Sequence, residues 1–133
     1  MNKPLIVLKF GSSVLRTAAD LPRAVHEVFR HSREGFGVVA VVSAFEGVTD
    51  RLIAQAKALG ADPAHGVGVS GLAALVASGE RETAASLLIA LAQAGIEGNI
   101  LDPLAAGLRV DGNGLEGSPV DLADPRLRLP PAP

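Results

Sequence analysis

The chain has no cysteine, no tryptophan and no tyrosine, and aromatic residues make up only 3% of its 133 positions. Without cysteine there is neither a disulfide framework nor a thiolate metal site. This composition is compatible with a reducing compartment, and a cytoplasmic location is expected. Few aromatics means no set of platforms on which single-stranded bases could stack. Basic residues are not clustered and the formal net charge is -2, so a dedicated nucleic-acid surface is not expected. No apolar run approaches the length needed to span a bilayer. The first run, from Pro4, is interrupted by Lys9 and does not read as a secretory signal, so no membrane association is expected.

What the chain does have is 48% hydrophobic residues, enough for one compact apolar core. Residues 4–10 and 36–42 are short runs rich in branched apolar side chains. They read as strands buried on both faces, as in a parallel sheet. Between them, from Thr17 to about Ser32, the apolar positions Leu21, Val25, Val28 and Phe29 recur at helical spacing, and Pro22 suits a first turn. A second helix is expected from Thr49 or Asp50, either of which could cap it, to Leu59, with Gly60 as the stop. Residues 69–77 read as a further helix, interrupted at Ser78, Gly79 and Glu80. Ser78 then caps a strongly apolar helix over 83–94, with Glu80 in its first turn. Residues 96–101 read as a third strand ending at Asp102 and Pro103. After Gly107 the patterns fade, and a proline-rich tail over 114–133 is expected to be irregular or disordered.

Strands alternating with helices imply an α/β fold with a largely parallel sheet and flanking helices. Ligands of such sheets bind beyond the carboxyl ends of the strands, where the polar turns at 11–13, 43–49 and 102–103 lie. Lys9, followed by Gly11, Ser12 and Ser13, combines a cation, an unobstructed backbone and two hydroxyls. That suits a phosphate cradle, although pattern alone favours a strand-end lysine reaching solvent beside an ordinary turn. Ser43, Ala44, Gly47 and Thr49 could hold a small carboxylate at a helix start, or simply form a capping loop. Glu80 could pair with an ammonium or only complement a helix dipole. His26, His31 and His65 lack metal-ligand spacing; His26 and His31 are expected to be exposed, and no metal ligand is assigned.

Taken jointly, four ordered segments resemble the amino-acid kinase family, and aspartokinases most closely. They are LKFGSSVL at 8–15, VVSAFEGVTDRLI at 41–53, SGERETAASLLIALAQAGIEGNILD at 78–102 and AGLRVDGN at 106–113. The resemblance implies the N-terminal part of the amino-acid kinase fold over 1–113, followed by a tail or linker over 114–133. It implies ATP with Mg2+ and L-aspartate as reactants and 4-phospho-L-aspartate as product, within aspartate-family amino-acid biosynthesis. Lys9 would be catalytic, contacting the transferring phosphoryl group, with Gly11, Ser12 and Ser13 around the phosphates. Ser43, Ala44, Gly47 and Thr49 would hold the amino acid, and Glu80 its α-ammonium. The sequence departs from the aspartokinase pattern at Ser12 and Glu46, where glycine is usual. The nucleotide-binding half of the family is not found within these residues, so self-association, or association with that half, is expected. Two alternatives stay open: a non-catalytic kinase-derived module, motivated by Ser12 and Glu46, and a glutamate 5-kinase-like enzyme, motivated by the K-x-G-S-S turn.

Overall fold

The computed structural model of the chain describes residues 3–103, 108–112, 115 and 118–122, the backbone alone at 109, 118 and 120–122. Strand β1 (Leu5–Phe10) pairs in parallel with β2 (Gly37–Val42), Phe10 lying opposite Val42. Helix α1 (Leu21–Arg33) connects them, as a parallel pair requires. Helix α2 (Val48–Ala58) and a helix of 25 residues, α3 (Val69–Gln93), follow. An antiparallel pair, β3 (Leu108–Asp111) and β4 (Ser118–Leu122), completes the described chain.

The α/β class with a parallel sheet and flanking helices is therefore observed, with four differences in detail. Among the described residues the sheet expected to have three parallel strands has two. Residues 96–101 are coil, with no ladder partner among the described residues. Strands β3 and β4 occupy part of the stretch read as irregular, Val110 pairing with Pro119 across an irregularity in register. Residues 123–133 lie outside the described residues, as do 104–107, 113, 114, 116 and 117. Finally, α3 runs unbroken through Ser78, Gly79 and Glu80.

Helix and sheet meet on one side only. Phe10 and Leu15 are buried with Ala24 and Val28 of α1 and with Leu87 and Leu91 of α3, while Leu8, Val38, Val42, Phe45 and Ile96 close around them. Alternation along a strand puts Leu5, Val7 and Lys9 on the opposite face. There Leu5 is 54% exposed, Val7 65% and Val41, across the ladder from Lys9, 44%. The expectation that both faces are buried therefore fails: among the described residues only one face carries helices. On α1 the buried stripe is Ala24, Val28 and His31, and Phe29 is exposed. His31, expected at the surface, packs edge-on against Phe36, and its Nδ1–H donates to the Glu27 carbonyl at 2.8 Å. A histidine satisfied by its own helix can replace an apolar residue in the stripe.

A second contact joins α2 to α3. A glycine inside a helix costs about 1 kcal/mol relative to alanine, so Gly79 is there for packing. A Cβ added at Gly79 would stand 3.1 Å from the Ala44 methyl and from Val48 Cγ1, and 3.2 Å from Leu52 Cδ1. Gly79 thus marks a close backbone approach where a helix break was expected. Ser78 does not cap a new helix; its hydroxyl donates back to the Leu75 carbonyl. Thr83, fully buried, donates to the Gly79 carbonyl at 3.3 Å, so its hydroxyl is satisfied. Gly79→Val is expected to lower stability by about 3 kcal/mol, from over-packing with no room to relax. Gly79→Ala is expected within about 1 kcal/mol of the wild type, helix propensity offsetting a tight contact. Urea denaturation of the two variants measures the difference.

Candidate functional site

The carboxyl ends of β1 and β2 are tied by a continuation of their ladder, the Ser43 amide donating to the Phe10 carbonyl at 3.2 Å. Beyond Phe10 the chain turns sharply, and the Gly11 carbonyl accepts from the amides of Val14 at 3.0 Å and Leu15 at 2.9 Å. Leu15 is buried, which anchors the turn in the core. The hydroxyl residues Ser12 and Ser13 are left exposed. Gly11 does not have a positive φ, and an added Cβ there would meet no atom within 4 Å. Neither backbone conformation nor packing among the described residues calls for glycine at 11. What the missing side chain preserves is open space beside the peptide.

The 43–49 loop is shaped by Gly47, which is left-handed at φ 76° and occupies the position before α2. Thr49 and Asp50, expected as caps, instead lie inside the first turn, and no side chain caps α2. Glycine starts the helix here because only it takes that conformation without strain. Ser43 and Thr49 are half-buried, and Glu46 is exposed. Ala44 is 4% exposed, and its methyl is used against Gly79, so only its backbone remains for a ligand. Glu80 follows Gly79 in the middle of α3, exposed, and not in a first turn. Its expected interaction with a helix dipole is thereby removed. The 43–49 loop nevertheless joins its neighbours: Ser43 bonds to Phe10, and Ala44, Val48 and Leu52 pack against Gly79.

Lys9 is exposed and stands on the sheet face opposite the core, beside Val7 and across from Val41. Among the described residues neither Lys9 nor Glu80 has an ion-pair partner, whereas Arg81, next to Glu80, holds Asp102 at 2.7 Å. That pair ties α3 to the 96–103 segment, so Asp102 fixes the chain after α3. Histidines remain outside the site. His65 Nδ1 lies 2.7 Å from the Asp62 carboxylate, in a small loop closed by the paired backbones of Asp62 and Val67. No group of three or more His, Asp or Glu side chains that could hold a metal occurs among the described residues. No helix among them is long and apolar enough to cross a membrane.

Sequence reasoning missed Asp20 and Arg16. The Asp20 carboxylate, buried at 9% exposure, accepts the Arg16 amide at 2.9 Å and its Nε–H at 3.4 Å. The Arg16 carbonyl in turn accepts the Glu46 amide at 3.0 Å. The spacing Arg16, Asp20, Pro22 was visible, but it reads as a helix start and nothing more. The Arg16 amide, aided by its guanidinium, holds Asp20 below its ordinary 3.8 despite the opposing effect of burial. Arg30, hydrogen-bonded at 2.8 Å, likewise holds Glu27 below 4.5.

Comparison with known proteins identifies the family. The profile of the Amino acid kinase family matches residues 4–125, and the chain belongs to that family. It is 31% identical to Aspartokinase 2 of Bacillus subtilis over 107 residues, 80% of this chain and 25% of that protein. It is 35% identical to the aspartate kinase Ask_LysC of Stutzerimonas stutzeri over 92 residues, 69% of this chain and 21% of that one. The crystal structure of aspartate kinase from Synechocystis superposes with a TM-score of 0.60 at 29% identity, covering 68% of this chain and 15% of that chain. The chain thus spans about a quarter or less of the relatives it matches, and within that span it is aspartokinase-like.

Carboxylates held below their ordinary range stabilise a fold above that range and lose the contribution as pH falls through the lowered value. Asp20 and Glu27 are both of this kind. Stability is therefore expected to be level near neutral pH and to decline below about pH 4. In Asp20→Asn the decline should be shallower, which thermal unfolding between pH 2 and 7, roughly the range over which carboxylates titrate, would show.

Proposed function

We propose that this chain forms the amino-acid-binding and phosphate-facing part of an aspartokinase. The reaction is that of ATP with L-aspartate to give ADP and 4-phospho-L-aspartate. The observation that carries the reading is that the 43–49 loop, at the carboxyl end of the parallel pair, bonds to Phe10 and Arg16 on either side of the 11–13 turn and packs on α3 at Gly79. That is where ligands of open α/β sheets bind. The resemblance of this chain to aspartate kinases over that same stretch supports the choice of substrate.

In this reading Ser43, Thr49 and the backbone amides near Gly47 hold the amino-acid carboxylates. Glu80 pairs with the α-ammonium. Gly11, Ser12 and Ser13 admit the ATP phosphates, which the open space at Gly11 fits. Mg2+, when bound with ATP, neutralises phosphate charge. An oxygen of the aspartate side-chain carboxylate attacks the γ-phosphorus, a new O–P bond forms, and the bond to the β-phosphate oxygen breaks with that electron pair leaving on ADP. Lys9 stabilises the negative charge on the transferring group, so its contribution is electrostatic. The described residues do not form a nucleoside pocket. The remainder of the site is then supplied by sequence that corresponds to the rest of the relatives, seated on the bare face carrying Leu5, Val7 and Val41. That same exposed face favours one second reading, a binding module that assembles with a kinase without turning over.

Titration of the 133-residue chain with L-aspartate, followed by NMR, tests the reading. Shifts are expected at 43–49 and 78–80, with a Kd on the order of 1 mM, and weaker binding of L-glutamate. A coupled assay of the chain alone with Mg-ATP is expected to show no acyl phosphate. Absence of any aspartate response, or equal response to glutamate, contradicts the proposed substrate. Turnover by the chain alone contradicts the need for further sequence.

A further inference from the structure

Asp20 occupies the position before the first residue of α1, where an aspartate ordinarily accepts amide hydrogen bonds from the helix it starts. Here its side chain makes no such bond to α1. It turns back instead, and its carboxylate receives the amide and Nε of Arg16. The turn before it is held separately, Thr17 Oγ1 accepting the Ala19 amide at 3.3 Å and the Thr17 carbonyl the Asp20 amide at 3.0 Å. Asp20 also lines a concavity of about 340 Å³ with Phe10, Val14, Leu15 and Arg23, so it lies directly under the turn that follows β1. The Thr17 backbone contributes a weaker bond to this carboxylate. A carboxylate mostly removed from water, whose strongest bonds go to one residue, fixes that residue's backbone. The fixed residue is Arg16, and its carbonyl carries the Glu46 amide at 3.0 Å.

We propose that Asp20 is a positioning residue: through Arg16 it fixes the Glu46 amide and so couples the 11–13 turn to the 43–49 loop. The coupling acts across two loops that the sheet alone joins only at Ser43 and Phe10. Glu46 directly precedes Gly47, whose left-handed geometry sets the start of α2. Holding the Glu46 amide therefore holds the orientation of the backbone between Ser43 and Thr49. The effect on a ligand rests on the proposed function; the effect on the Glu46 amide does not.

Hydrogen exchange and L-aspartate titration of the 133-residue chain, both read by NMR at one neutral pH, separate these two effects. Asp20→Ser places a residue type suited to the start of α1 but is one bond too short to reach Arg16. In this variant the Glu46 amide is expected to exchange about tenfold faster, while amides at Leu87 and Leu91 keep their wild-type rates. L-aspartate affinity is expected to fall by roughly threefold to tenfold in parallel. Asp20→Asn retains an acceptor oxygen for the Arg16 amide and is expected to restore both readouts to about twofold of wild type or better. Asp20→Thr replaces the serine variant if that one folds poorly. An unchanged Glu46 rate in the serine or threonine variant overturns the proposal. So does an equal acceleration at Glu46, Leu87 and Leu91, which reports global opening only. If the Glu46 rate changes as expected but the wild type gives no aspartate response, the coupling stands and the proposed function fails.

Discussion

At Gly79 the backbone of α3 lies against Ala44, Val48 and Leu52 so closely that even a methyl group would press on three side chains. Much else follows from that approach. It places α2 and α3 side by side and fixes the loop between β2 and α2 against the middle of a long helix. It also brings Glu80 to the neighbourhood of the residues that continue β2. The glycine weakens helix propensity locally, and the contact offsets this through the burial of Ala44, Leu52 and Thr83 around it. The parallel ladder of β1 and β2 contributes the other half of the geometry, since it delivers Gly11 and Ser43 to the same end of the sheet.

Much of this was legible in sequence, in proportion to how local its causes are. The two strands and α1 announce themselves through apolar periodicity, and the order strand, helix, strand dictates a parallel pair. The family emerges from four ordered segments, and the family profile over residues 4–125 agrees. The errors came from long-range partners. Gly79 reads as a break because intrinsic propensity cannot see Ala44 and Val48 on another element. Residues 96–101 read as a strand because they are apolar, yet a strand exists only where a ladder partner does. A helix over 83–94 that is apolar nearly all round reads as buried, yet its Ile89 is 66% exposed. His31 reads as surface because its partners, the Glu27 carbonyl and Phe36, are invisible to composition.

The site residues divide in the same way. Ser43 is tied to Phe10 at the carboxyl end of the parallel pair, while the roles of Gly11, Ser43, Gly47 and Thr49 belong to the proposal. Ala44 turns out to serve packing through its side chain, and Glu80 loses the helix-start setting assumed for it. Lys9 stands on the sheet face that has no helix over it among the described residues, together with exposed Leu5, Val7 and Val41. The two departures from the aspartokinase pattern, Ser12 and Glu46, are both exposed, so neither is forced by the core. The connection that sequence could not reveal at all is the one from Asp20 through Arg16 to Glu46. The bonds that carry it run through the Arg16 amide and carbonyl, and backbone partners leave no mark on residue identity.

The central claim is spatial: the 43–49 loop and the middle of α3 are in contact at Gly79. Methyl-labelled NMR measures this directly through NOEs from the Gly79 α-protons. Strong cross-peaks to the Ala44 methyl and to a Val48 methyl are the predicted result. Their absence in a folded sample, with the Phe10 to Leu87 core contacts intact, would contradict the account.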